Sequence, residues 1–214
     1  MALARGRESA REPAVSWLAA GHDRLAASAS TADAVAVVES FAAADPAQAQ
    51  ARCRVLAFVD EHPDALSRSC LAGHLTASAW VVDADARAGL LLLHAKVGRW
   101  LQPGGHADGD ACLAAVALRE CAEETGIAGL EVWSDPVDVD VHLFRNRTGA
   151  EPDHLHLDVR YLVRAPRGAV PAGNHESEQL RWVSEADLAE PDFDLDESVL
   201  RLARCGFDCA RRNG

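Results

Sequence analysis

The sequence is short of aromatic residues, which make up 5% of 214 positions, so little surface is offered for stacking on bases. Positive charge is scarce too: 21 Lys and Arg stand against 33 Asp and Glu, a formal net charge of −12. Affinity for polynucleotides comes from Lys and Arg neutralising phosphates, so long nucleic acids are excluded as partners. The six cysteines, at 53, 70, 112, 121, 205 and 209, contain no C-x-x-C pair. A disulfide framework is not expected. Cys205 and Cys209 share a helix face but lack Cys or His partners at zinc spacing, so they read as small packed thiols. No run of 18 apolar residues occurs, and "MALARGRESAREP" has no apolar segment of signal-peptide length, which predicts neither a membrane span nor export but a cytoplasmic protein.

What is present is enough to form a core. Hydrophobic residues make up 49%, mostly Leu, Val and Ala, a share ordinary for globular proteins. Residues 1–30 are polar and alanine-rich. From Thr31, "TADAVAVVESFAAAD" predicts a helix that stops at Asp45-Pro46. "PAQAQARCRVLAFVDEH" predicts a second that starts on Pro46 and turns Leu56, Phe58 and Val59 to a core. We therefore expect a helical extension over 1–70, which could serve as a lid over a cleft, a homodimer contact or a passive layer, and a main domain over 71–214.

From about Leu71 the pattern changes. Ala77–Val82 and Leu90–His94 read as a strand pair joined by "DADARAG", and "VGRWLQPGGHADGDA" reads as a loop. "CLAAVALRECAEETG" is a helix with apolar residues at 113, 116, 117 and 121, and Gly126 ends it. "LEVWSD", "VDVDVHLFRN" and "HLHLDVRYLVRA" alternate like strands with one buried face. "QLRWV" adds a short strand, and "SEADLAE" looks like a capped helix start. Helices, a hairpin, a loop, a helix, several strands and a last helix together predict an α/β (α+β) sandwich around a mixed sheet.

Two stretches carry chemistry. On the predicted helix Glu120, Glu123 and Glu124 fall at i, i+3 and i+4 with Arg119 beside them, so three carboxylates leave one face. Hard oxygen donors grouped behind the Gly-rich turn "PGGHADGD" suit Mg²⁺ or Mn²⁺. In the predicted strand "HLHLDVRYL", His154, His156, Asp158 and Arg160 share one face, which is either a polar cleft wall or a solvated strand surface. A transition-metal site on those histidines is a further reading, and it needs convergent geometry that a sequence cannot show.

The first stretch resembles the Nudix hydrolases, whose box has the form G-x5-E-x7-R-E-U-x-E-E-x-G-U, with U aliphatic. Gly105, Arg119-Glu120, Glu123-Glu124, Gly126 and Ile127 match, and Cys121 takes an aliphatic position. The five fixed positions of RExxEExG arise by chance in such a chain with odds on the order of 10⁻⁴. The box's first Glu falls on Ala111, with Asp110 one residue before it. The resemblance, over roughly 71–190, implies an α/β/α sandwich and metal-dependent hydrolysis of a pyrophosphate bond in a nucleoside diphosphate linked to another group. It implies Glu120, Glu123, Glu124 and the Gly104 carbonyl as ligands of Mg²⁺ or Mn²⁺, Glu120 doubling as base, and Arg119 as their orienting group. A further acid, Glu178 or Glu176, would lie outside the box, and Arg99, His106, His156 and Arg160 would meet the substrate, while Trp100 packs. Asp110 would stand in for the missing Glu as a helix-start and loop-orienting group. The intact RExxEExG argues against the isopentenyl diphosphate isomerases, which share the fold. A catalytically silent ligand-binding or regulatory relative is the alternative.

Overall fold

The structure, a computed structural model, describes residues 15–95, 97–145, 152–174 and 177–213. A three-residue strand β1 (Trp17–Ala19) is followed by helices α1 (Thr31–Ser40) and α2 (Pro46–Glu61). Asp45 caps α2 by accepting from the Gln48 amide at 2.9 Å, and Pro46 takes the first turn, where its missing N–H costs nothing. Then come β2 (Gly73–Val82), β3 (Ala88–His94), β4 (Arg99–Leu101), β5 (Gly104–His106) and helix α3 (Leu113–Thr125). They are followed by β6 (Glu131–Trp133), β7 (Asp138–Phe144), β8 (His154–Arg164), β9 (Ser177–Ser184) and helix α4 (Glu197–Asn213).

Two expectations change. The stretch between the predicted hairpin and helix is not wholly loop: β4 pairs with β3, and β5 pairs with β2 through Thr76–His106 and Ser78–Gly104. Strands this short exist because longer neighbours template them, not because of their own propensity. The helix expected at "SEADLAE" is only a 3-10 turn over Asp187–Ala189, and the last helix begins at Glu197.

The sheet is mixed, with path β1-β6-β8-β2-β3-β4 and with β5, β7 and β9 beside β2, β8 and β3. Its centre is the parallel pair β2–β8, in register from Gly73–Leu155 to Val82–Arg164. Both strands are buried nearly throughout, as parallel strands covered on both faces must be. On one face Leu75, Ala77, Ala79, Val159 and Tyr161 join Val116, Ala117 and Cys121 of α3 and Val38, Val55 and Val59 of α1 and α2 in one core. On the other, Trp80, Val82 and Leu162 pack on Leu202 and Phe207 of α4, and Trp100 meets Phe193 edge-on at 5.3 Å. The result is an α/β/α sandwich. Helix α4 can approach so closely because residue 206 is glycine: a Cβ there would lie 2.5 Å from Trp80 Cδ1. No helix among the described residues is long and apolar enough to cross a membrane.

Candidate active site

Helix α3 supplies the acidic residues. Its buried stripe of Leu113, Val116, Ala117 and Cys121 faces the sheet and fixes its rotation, so Glu120, Glu123 and Glu124 emerge along one edge. Cys121 is fully buried, and desolvation pushes its thiol well up, so it acts as the aliphatic residue expected at that position. At the C-terminus Gly126 adopts φ 65°, the left-handed cap, and the 172–174 loop clasps the end: Ala172 N donates to Thr125 O, and Asn174 Nδ2 to Glu123 O. At the N-terminus Asp110 Oδ1 accepts from the Cys112 amide at 2.9 Å and the Ser28 amide at 3.1 Å, while Ala111, itself buried, donates to Ser28 O. Asp110 thus orients the loop, although the helix starts after it, at Leu113.

The three glutamates differ in environment. Glu124 is 4% exposed and accepts from the Gly104 amide at 2.9 Å, tying the helix to β5. Glu120 is half-buried and receives Arg119 Nη2 at 3.1 Å; Arg119 also reaches the His106 carbonyl at 3.4 Å. Burial pushes the Glu120 carboxyl up, and Glu123 adds to this, while Arg119 opposes it. Glu123 is exposed. Gly105 is where backbone meets carboxylate, since a Cβ there would sit 2.3 Å from Glu120 Oε2.

Beside the helix lies a cavity of about 430 Å³ lined by Glu120, Glu123, Arg119 and Asp110, together with Arg68, Asp108 and Asn174. Arg68 holds Asp108 through two hydrogen bonds of 2.6 and 2.7 Å. Arg68, Asp108 and Asn174 were not expected from the sequence. Only Asp108 leaves a local signal, the "ADGD" turn, where it adopts φ 49°.

The other expected residues lie elsewhere. Glu178 is exposed on β9 and is not among the cavity's lining residues; Glu176 lies outside the described residues. Arg99 is exposed on β4 and turns to Asp196 at 3.5 Å and the Asp194 carbonyl. Arg160 requires a correction. It is 2% exposed, and its guanidinium is consumed by Asp158 (2.8 Å), Asp140 (3.1 Å), Asp138 (3.2 Å) and Ser198 Oγ (2.8 Å), so it is not available to a substrate phosphate. Around Asp158 and Arg160 the polar face of β8 is therefore neither a cleft wall nor a solvated surface: Thr76 and Ser78 of β2 donate to Asp158, and Asp138 and Asp140 of β7 with Arg201 of α4 complete the charges. His106 and His156 are half-buried and turn their rings toward each other, centroids 5.2 Å apart, rather than into the cavity. Desolvation and neighbouring charge lower His106 to about 4 and His156 to about 2, so both are neutral at physiological pH.

Comparison with known proteins agrees with this arrangement. A family model described as the NUDIX domain matches residues 73–202. A Nudix-family hydrolase from Clostridium perfringens superposes with TM-score 0.50 at 23% identity, over 64% of this chain and 97% of that one. A binary complex of an Ap4A hydrolase from C. elegans gives 0.51 at 17% identity, over 64% and 97%. Comparison with curated proteins returns no significant match. With the box on α3, the β5 amide against it and the family model across the sheet, this chain belongs to the Nudix hydrolase family.

Proposed function

We propose that this chain hydrolyses the pyrophosphate bond of a nucleoside diphosphate linked to another moiety, with Mg²⁺ or Mn²⁺ held by Glu120, Glu123 and Glu124 and by the Gly104 carbonyl. The observation that carries the reading is three carboxylates on one helix edge, two of them lining a cavity, with one pressed against a glycine whose side chain would collide with it. The donors are hard oxygens, and the missing side chain at Gly105 lets the Glu120 carboxylate pack directly on the β5 backbone, a compact oxygen-donor set that fits a small divalent cation. Such an ion would offset charge on the transferring phosphoryl group and lower the pKa of a water bound to it.

The residues divide the remaining work. Arg119 fixes Glu120 by a hydrogen bond, and Glu120, whose burial raises its proton affinity, is suited to take the proton from the attacking water. Glu124, buried on the Gly104 amide, holds the loop at its working distance from the helix. Asp110 keeps the loop's far end fixed. The cavity beside Glu123 is the place for the substrate, with Arg68 and Arg119 on its border. The Ap4A hydrolase named above acts, by its name, on a dinucleoside polyphosphate, so this class belongs in the panel with nucleotide sugars, nucleoside triphosphates and CDP-alcohols.

The test is phosphate release from that panel with and without Mg²⁺, for the natural chain and for Glu123→Gln. Turnover that needs the ion and falls in the variant supports the reading; turnover unchanged by both sinks it. A second reading, a ligand-binding protein without turnover, is favoured by one observation: a buried alanine, Ala111, stands at the family's first glutamate. Calorimetric binding of a diphosphate compound with no product formed would select it.

A further inference from the structure

The end of the β2–β8 sheet face beyond the ionic centre carries four histidines from three strands: His74 on β2, His106 on β5, and His154 and His156 on β8. One ring nitrogen from each lies within 4.8 Å of all the others. This convergence follows from the register. His74 pairs directly with His156, and Thr76, two residues along the same face, pairs with His106.

Hydrogen bonds among the described residues leave this cluster incompletely satisfied. His154 Nδ1 lies 2.9 Å from the Pro152 carbonyl, and His74 Nδ1 faces the Cys70 carbonyl at 3.5 Å. A carbonyl oxygen only accepts, so in both rings the proton sits on Nδ1 and the lone pair is on Nε2. The Nε2 of His74, a residue 4% exposed, has no hydrogen-bond partner among the described residues. A bare buried lone pair is costly unless something electron-poor meets it. The Nε2 of His154 points at Nε2 of His156, 3.2 Å away. Tetrahedral zinc with Zn–N of 2.0–2.1 Å has ligand–ligand edges of about 3.3–3.4 Å, so this edge is already close to length. Nδ1 held by a backbone carbonyl with Nε2 free is how proteins orient ligating imidazoles.

We propose that His74, His106, His154 and His156 bind a borderline divalent transition metal, with Zn²⁺ as its representative, at a closed four-nitrogen site separate from the acidic cradle on α3. Four neutral imidazoles suit Zn²⁺, Co²⁺, Ni²⁺ or Cu²⁺ and disfavour Mg²⁺ and Ca²⁺, which take oxygen ligands. Four protein ligands leave no open position, so the role is structural. Its mechanical effect falls on β5: His106 follows Gly104 and Gly105 directly, and its own carbonyl receives Arg119, so the ion would fasten the strand against which the acidic helix packs.

The test uses the full chain without a polyhistidine tag, stripped with chelator, incubated with Zn²⁺ or Co²⁺ and desalted. We expect about one Zn²⁺ retained per chain and intense visible absorption of tetrahedral Co²⁺. Affinity should fall by at least about tenfold in His74→Gln and in His154→Gln. Two variants guard against one failing to fold, and circular dichroism checks each. Glu120→Gln/Glu123→Gln, which disables the acidic cradle, should retain Zn²⁺ like the natural chain whether or not the proposed hydrolysis is correct. Absence of retained metal in the natural chain, a six-coordinate Co²⁺ spectrum, or retention that survives the histidine variants and fails in the glutamate variant overturns the site.

Discussion

The acidic edge of α3 and the polar face of β2, β7 and β8 are built from the same residue types and treated in opposite ways. On α3 Glu120 and Glu123 border a cavity, and Arg119 bonds Glu120. On the sheet face Asp138, Asp140 and Asp158 are buried or nearly so, but Arg160 and Arg201 fill the space between them. Arg201 reaches Asp138 Oδ1 at 3.0 Å and Asp140 Oδ1 at 2.8 Å. Access to a cavity is the difference. A charged group whose partners enclose it inside the protein holds the protein together. Carboxylates grouped at a cavity's border, as Glu120 and Glu123 are, stand where a ligand can meet them.

The contrast can be broken most forcefully at its two centres. Glu120→Gln keeps the shape of the α3 edge and removes its charge, so pyrophosphate hydrolysis should drop by a factor on the order of 10²–10⁴ with little change in melting temperature. A steady-state assay beside a thermal melt checks both halves. Arg160→Met should do the reverse: three carboxylates lose their shared cation in a buried place, at a cost of about 3–5 kcal/mol in urea unfolding.

A subtler break uses pH. Burial pushes the Asp140 carboxyl up, but the hydrogen bond from His142 and the charges of Arg160 and Arg201 outweigh it and hold the group well below the usual carboxylate range. The folded chain therefore binds this proton later than the unfolded chain does. Its stabilisation is complete above the ordinary carboxylate pKa of about 4 and is lost as pH falls below that. Urea midpoints between pH 6 and 2.5 should show this acid decline, and Asp140→Asn should make it shallower.

Gly105→Ala sharpens the α3 side alone. The added Cβ meets only the end of the Glu120 side chain, so the fold should survive while Mn²⁺ affinity, read by titration, falls about tenfold to a hundredfold. The smallest effect is expected at Arg68–Asp108, whose side chains are 58% and 45% exposed. Asp108→Asn should change stability by no more than about 1 kcal/mol, and less in high salt.

Much of the α3 side was legible because its determinants are local. The i, i+3, i+4 spacing, the glycine cap and the apolar stripe all lie within residues 113–127, and α3 forms with those bounds nearly unchanged. The sheet face was not. Arg160 shows a charged strand residue in sequence, but its partners Asp138 and Ser198 are 22 and 38 residues away, and only folding brings them to it. The same holds for the histidines: period two puts His154 and His156 on one face, whereas His74 and His106 arrive through strand pairing. The local cap signal in "SEADLAE" places the last helix where only a 3-10 turn forms; α4 begins at Glu197 and is seated by a long-range contact, Gly206 against Trp80.

The parallel pairing of β2 with β8 also sets a timetable. Thr76 donates to Asp158, 82 residues further along the chain. At synthesis rates of about 5–20 residues per second, roughly 4–16 s separate the emergence of these two partners. In the later part of that interval α3 can form, being local, while the strand at the middle of the sheet waits with a long side unpaired. The last-made third of the protein therefore completes the sheet, and a nascent chain stalled before residue 154 would present an apolar strand edge to its surroundings.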